Sequence, residues 1–257
     1  MDRPQGAPRA LRVAAVGDVH CKRTSSGEFR GLFAQASELA DVLALCGDLT
    51  DYGLPEEAEV LASELAAGAR IPVVAVLGNH DFESGQPDAV RRILSHVGVT
   101  VLDGEAYEQE GVGFAGAKGF AGGFGERALG AWGEDAIKAF VKEAVNESFK
   151  LETALGRLTT AQRVVLLHYS PIRETLVGEP PEVLPFLGSS RLEEAIARFP
   201  VAVIFHGHAH HGALAGRARN DVPVFNVSLP VLRERLPDAP PVRVVEVPVV
   251  PATTEAR

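Results

Sequence analysis

Apolar and polar positions along this chain fall into short blocks that alternate between two periodicities. The runs Leu11–Val16, Val42–Cys46 and Pro72–Leu77 are continuously apolar over strand length. Between the first two, Phe29, Leu32, Phe33, Ala36 and Leu39 recur at helical spacing. Pro55 with Glu56 and Glu57 predicts a helix start, because a first turn tolerates a missing N–H and favours negative charge, and the helix runs to about Gly68. Pro87–Val97 reads as another helix; Val99–Leu102 and the runs near Tyr107 and Phe114 read as short strands. A long amphipathic helix spans about Glu134–Leu155, followed by a strand at Arg163–Leu167. Ser190 and Glu193 have capping-box spacing and open a helix ending near Phe199. The runs Val201–Phe205, Val222–Val227 and Val242–Val247 complete the strands.

Strands alternating with helices define an α/β class. With no repeat and no linker composition, residues 1–257 read as one domain. Two segments stand apart. Residues 111–130 hold eight glycines in GVGFAGAKGFAGGFGERALG, which predicts a surface loop acting as a lid or rim, and residues 251–257 read as a loose tail.

Composition narrows the function classes. Hydrophobic residues make up 46% and charged ones 23% of the 257, as in soluble globular chains. Lysines and arginines number 25 against 34 acidic residues, a net charge of −9 that argues against a general grip on nucleic acid or an anionic membrane. The N-terminal apolar run is broken by Asp18 too early for a signal or a span, so a cytoplasmic address is expected. Cys21 and Cys46 form no CxxC pair and read as small buried residues beside strand ends.

The chemistry gathers where strands stop. Five apolar runs end in GDVH, GDLTD, GNHD, HYSP and HGHAH. Ligands in α/β sheets bind beyond the carboxyl ends of strands, so these clusters can converge. Asp18 and His20 are two apart and share a side, as do His208 and His210. Carboxylate, imidazole and amide oxygen together suit a borderline divalent ion, with manganese, iron and zinc all open.

This ordered set of blocks between residues 17 and 210 resembles the calcineurin-like metallophosphoesterase superfamily. The resemblance implies a sandwich of two mixed β-sheets flanked by helices and two divalent transition-metal ions. One ion would be held by Asp18, His20 and His210, the other by Asn79, His168 and His208, with Asp48 bridging. A hydroxide shared between the ions would attack a small phosphodiester or phosphomonoester, His80 would protonate the leaving oxygen, and Asp51 would orient His80.

Departures from individual branches sharpen the expectation. Tyr52 stands where serine/threonine phosphatases carry arginine, and Asp51 where purple acid phosphatases carry an iron-binding tyrosine. Small members of similar length favour phosphodiesters. The competing readings are a non-enzymatic protein-binding scaffold of the same fold, a nuclease of the same superfamily, and a hydrolase of non-phosphate esters. Asp81 reads as a turn or helix-start residue, His206 and His211 as supporting or surface groups, and His96 as a partner for terminal helix carbonyls. The glycine-rich segment lacks the Lys-Ser/Thr ending of a P-loop.

Overall fold

The computed structural model describes residues 9–249. Five strands form one sheet: β1 (Ala10–Val16), β2 (Val42–Cys46), β3 (Val73–Val76) and β4 (Val99–Val101) run parallel, and β11 (Arg243–Pro248) pairs antiparallel with β1. Six strands form the other: β5 (Ala106–Gln109), β6 (Val112–Ala117), β7 (Gln162–Leu167), β8 (Val203–His206), β9 (Ala215–Arg217) and β10 (Pro223–Asn226), in the spatial order β5-β6-β7-β8-β10-β9. Its four central strands are parallel and its two edges antiparallel. The sheets face each other through β2, β3, β6 and β7. Helices α1 (Arg30–Leu39), α2 (Pro55–Gly68) and α3 (Pro87–His96) belong to the first sheet's crossovers; α4 (Asp135–Arg157) and α5 (Ser190–Ile196) pack together, with α4 against the second sheet. This is the mixed α/β sandwich the resemblance implied.

Strand alternation explains how one sheet serves two cores. In β7, Val164 and Leu166 enter the core between the sheets, whereas Val165 and Leu167 enter the core under α4 and α5. Strands buried on both faces must be apolar at every position, which is why they stand out as unbroken runs.

The glycine-rich segment differs from its expected form. Its first six residues after Gly111 are the wholly buried strand β6, which bears out the short strand read near Phe114 and overturns the surface loop read over the same residues. The glycines there serve close packing: a Cβ on Gly116 would lie 2.6 Å from Val76 Cγ1 on the facing sheet. The start of α5 also shifts by one residue, because Ser189, not Ser190, is the cap, its Oγ accepting from Arg191 N–H at 3.3 Å. Helix α1 is capped from outside. The Glu64 carboxylate on α2 accepts from the N–H groups of Gly27, Phe29 and Arg30 at 2.8, 3.0 and 2.9 Å.

Among the described residues one strand and one α-helix escaped the sequence pattern: the exposed three-residue edge β9, and the short helix α6 (Leu229–Arg235), which begins at a Leu-Pro step. The expected tail at 251–257 lies outside the described residues. Among the described residues no helix is long and apolar enough to cross a membrane.

Candidate metal centre

All the predicted site residues meet beyond the carboxyl ends of β1, β2, β3, β7 and β8. The loops arrive already tied together. Asp18 N–H donates to Gly47 O (2.9 Å), His20 N–H to Asp48 O (3.0 Å), and His168 N–H to Lys118 O (3.0 Å). The Asp18 carboxylate accepts from His208 N–H at 3.0 Å and lies 3.0 Å from His210 Nε2, binding the loop after β8 to the loop after β1.

Backbone conformation marks the same residues. Asp18 (φ 55°), His20 (45°), Asp48 (47°) and His208 (70°) all sit in the left-handed region, which costs non-glycine residues free energy. Four of the seven such residues in the described chain are thus predicted ligands, and strain of this kind collects at functional sites. The glycines of the blocks permit close approach. A Cβ on Gly78 would collide with Asp48 Oδ1, and one on Gly207 with Asp18 Oδ2.

Among the described residues the side chains form three groups with donor atoms within 4.8 Å of one another: Asp18 with His20 and His210, Asp48 with His168 and His208, and a third, His20 with Asp51 and His80, that shares His20 with the first. Asp48 stands between the first two groups. Its Oδ1 is 3.3 Å from His168 Nε2 and accepts from His80 N–H at 2.8 Å, while its Oδ2 is 3.8 Å from His20 Nε2 and 4.0 Å from His80 Nε2. Asn79 Oδ1 lies 2.8 Å from His168 Nε2.

These contacts fit a cation. His20 Nε2 is buried without a hydrogen-bond partner, facing the Asp48 carboxylate. His168 Nδ1 lies 3.1 Å from Cys46 O and donates to it, so Nε2, which faces the oxygens of Asn79 and Asp48, either carries a proton or turns a lone pair toward a cation. Acceptors converging on one point in a buried space require a positive charge there, either a proton or a metal ion.

The electrostatics show a site that attracts positive charge: burial would lower His168, but Asp48 raises it to about 9, and the contact with Asp18 raises His210. Burial would push the Asp48 carboxyl up, but His168 and the His80 amide and ring together hold it well below the usual range. Burial, followed by the neighbouring His168, lowers His208 to about 3, and burial lowers His20 against the pull of Asp48 and Asp18; both imidazoles are therefore neutral and able to ligate.

The remaining polar residues sort by contact. His80 Nδ1 lies 2.7 Å from the main-chain carbonyl of Asp51, so Asp51 meets His80 through its backbone, and its carboxylate instead lies 3.5 Å from His20 Nδ1. Asp81 is fully buried and accepts from Leu49, Thr50 and Gly78, locking the loop after β2 to the loop after β3. His206 is buried and lowered to about 4 by that burial, with hydrogen-bond contacts to Thr175 Oγ1 and Gly207 O; His211 meets Glu179 through its backbone N–H. His96 Nδ1 contacts Arg92 O at 2.9 Å, as a histidine at a helix end does. The two cysteines are buried and free. Sequence reasoning passed over Tyr169, whose ring lies 4.4 Å from that of His208; its position directly after His168 was the available signal.

Comparison with known proteins points the same way. Solved structures similar to this chain include the phosphopantetheinyl hydrolase PptH from Mycobacterium tuberculosis, with 17% identity, a TM-score of 0.64, and coverage of 98% of this chain and 99% of that one. They also include TT1561 of Thermus thermophilus, with 15% identity, a TM-score of 0.53, and coverage of 94% and 100%. At such identities the likeness concerns the fold. A search of curated proteins gives no match. The family profile described as calcineurin-like phosphoesterase matches residues 11–212, a segment that takes in every converging side chain from Asp18 to His210, and the chain belongs to that family.

Proposed function

We propose that the chain is a dinuclear metal-dependent phosphoesterase, with Asp18, His20 and His210 holding one divalent ion, Asn79, His168 and His208 a second, and Asp48 shared between them. The observation that carries this reading is the Asp48 carboxylate, with one oxygen toward His168 and the other toward the orphaned His20 Nε2. Two such ions, when bound, supply Lewis acidity toward the phosphate oxygens and an activated water.

The protein's own groups supply the rest. His80, its Nδ1–H engaged by the Asp51 carbonyl, keeps Nε2 free on the side of Asp48, where it can carry a proton to the departing oxygen. Asp81 fixes the backbone on which His80 and Asp48 sit. A diester is favoured because separate cavities adjoin the two ligand groups. One, of about 300 Å³, is lined by Asp18, His20, Lys22 and Arg233; the other reaches His208 through Phe186. A substrate with a substituent on each side of phosphorus would use both. The free cysteines fit a reducing, cytoplasmic setting.

Protein reconstituted with manganese is expected to bind about two ions per chain and to cleave bis-p-nitrophenyl phosphate faster than p-nitrophenyl phosphate. Inhibition by inorganic phosphate separates it from an esterase of another kind. Failure to cleave either compound with manganese, iron or zinc refutes the reading.

A further inference from the structure

A cavity of about 450 Å³ lies beside the ligand groups on the His208 side, and the reading above gives it a substituent without saying what that substituent is. Its walls come from residues 122–129 and 181–186, with Phe140 and Arg173 added. Backbone hydrogen bonds staple these walls together: Gly122 N–H to Pro185 O at 2.8 Å, Gly123 N–H to Gly188 O at 2.9 Å, and Leu129 N–H to Gly122 O at 2.8 Å. The cavity is therefore pre-formed, and its volume is that of a small-molecule site.

Two features connect it to the reacting centre. The Phe186 carbonyl lies 3.3 Å from His208 Nε2. A line of ring contacts also runs from Phe140 in the cavity wall to Phe120 (4.9 Å), Tyr169 (5.8 Å) and His208 (4.4 Å).

The lining is selective in charge. Phe124, Leu129, Leu184 and Phe186 make it apolar, no carboxylate lines it, and Arg127 and Arg173 are its only charged residues. Neither guanidinium takes part in an ion pair among the described residues, although the chain carries a net charge of −9. Arginines left unpaired beside an apolar wall, in an acidic protein, are complementary to an anion carried on an apolar body.

We propose that this cavity is the leaving-group subsite, and that its occupant is an aromatic-sized apolar group bearing a second negative charge. The assignment rests on the phosphoesterase reading for the bond that breaks. In that reaction the oxygen of water bonds to phosphorus, the P–O bond to the apolar group breaks, and the departing oxygen takes a proton.

The test uses a metal-independent probe first. The dye 8-anilinonaphthalene-1-sulfonate, an apolar ring system with one fixed negative charge, is expected to bind the full chain with one-to-one stoichiometry. Affinity should fall about tenfold or more in the R127E/R173E double variant, as loss of two charge contacts implies. Both arginines are exposed, so the variant is expected to fold, and circular dichroism checks that it does.

Kinetics on the manganese-loaded protein then compare phenyl phosphate with 6-sulfo-2-naphthyl phosphate. The larger anionic ester should show the lower KM, and the double variant should lose that difference. Esters hydrolysed with no such preference, or dye binding indifferent to R127E/R173E, overturn the subsite. Arginine-dependent dye binding with neither these esters nor bis-p-nitrophenyl phosphate hydrolysed refutes the phosphoesterase reading and the leaving-group role with it, while keeping an anion-and-apolar binding site. A dimer that Phe186→Asp splits, admitting the dye only then, gives the cavity to a second copy and overturns the proposal.

Discussion

The two regions that meet at His208 are built on opposite terms. On one side, the strand ends carrying Asp48 and His168 are almost fully buried and locked by hydrogen bonds between loops, and Asp48 is held in left-handed backbone that isolated residues avoid. On the other side, residues 122–129 and 181–186 are tied to each other by backbone hydrogen bonds, with Ser190 Oγ and the Arg191 guanidinium adding two more, and their Arg127 and Phe186 side chains are exposed. On the proposed function and subsite, the contrast separates two tasks. Groups that do chemistry are over-determined by the fold, whereas groups that select a substrate can change without disturbing it.

The largest effect should come from breaking the buried side. Asp48→Ala removes the carboxylate shared by both groups, and turnover is expected to fall about 10³-fold or more, the loss of several kcal/mol of charge stabilisation. Elemental analysis should show reduced metal content in parallel. Gly78→Ala should lower metal content by a different route, since its new Cβ collides with Asp48 Oδ1. Retained metal in both variants would contradict the shared role.

His80→Ala should come next, with metal retained and kcat lowered about 10²-fold or more. The loss should be smaller for a p-nitrophenyl ester, whose leaving group needs little help from an acid, than for an alkyl ester. Equal losses on the two esters would remove His80 from proton transfer.

A third test probes the scaffold rather than the site. Glu64→Gln weakens the borrowed cap of α1 and should cost about 1–2 kcal/mol in denaturant titrations at neutral pH. Burial pushes the Glu64 carboxyl up, but the N–H groups of Gly27, Arg30 and Phe29 outweigh it and hold it below its ordinary value of 4.5. A depressed carboxyl contributes its stability above the unfolded value and loses it as pH falls through the folded one. The gap between wild type and variant should therefore shrink below about pH 4.5. A gap constant into acid would mean that the charge is not what stabilises the cap.

The smallest effect is expected at Asp51. Because its carbonyl, not its carboxylate, meets His80, Asp51→Ala should change kcat by about threefold at most, under 1 kcal/mol. A loss as large as that of His80→Ala would show that the carboxylate acts in the reaction, through His20 Nδ1.

Much of this molecule is legible residue by residue. The unbroken run Val42–Cys46 becomes a fully buried strand because parallel strands covered on both faces have no polar side to show. Pro55 and Gly68 bound α2 as read, because the first turn needs no N–H from proline. The blocks from Asp18 to His210 pointed to one place in the fold, since Asp, Asn and His are seldom set at successive strand ends without a shared partner.

Other features depended on neighbours distant in sequence. The glycines of β6 suggest a loop until Val76 is seen pressing on Gly116 from the facing sheet. The cap of α1 sits on another helix, and the role of Asp51 lies in a carbonyl that every residue possesses.

What the sequence determined by itself was therefore the order of the strands and helices other than β9 and α6 and the identity of the chemical groups, because periodicity and side-chain chemistry are local. Only the tertiary structure decided that Asp48 stands between two histidine groups, that His80 leans on a backbone carbonyl, and that Arg127 and Arg173 share one apolar cavity. Those relations are distances between remote segments, set by how the two sheets pack.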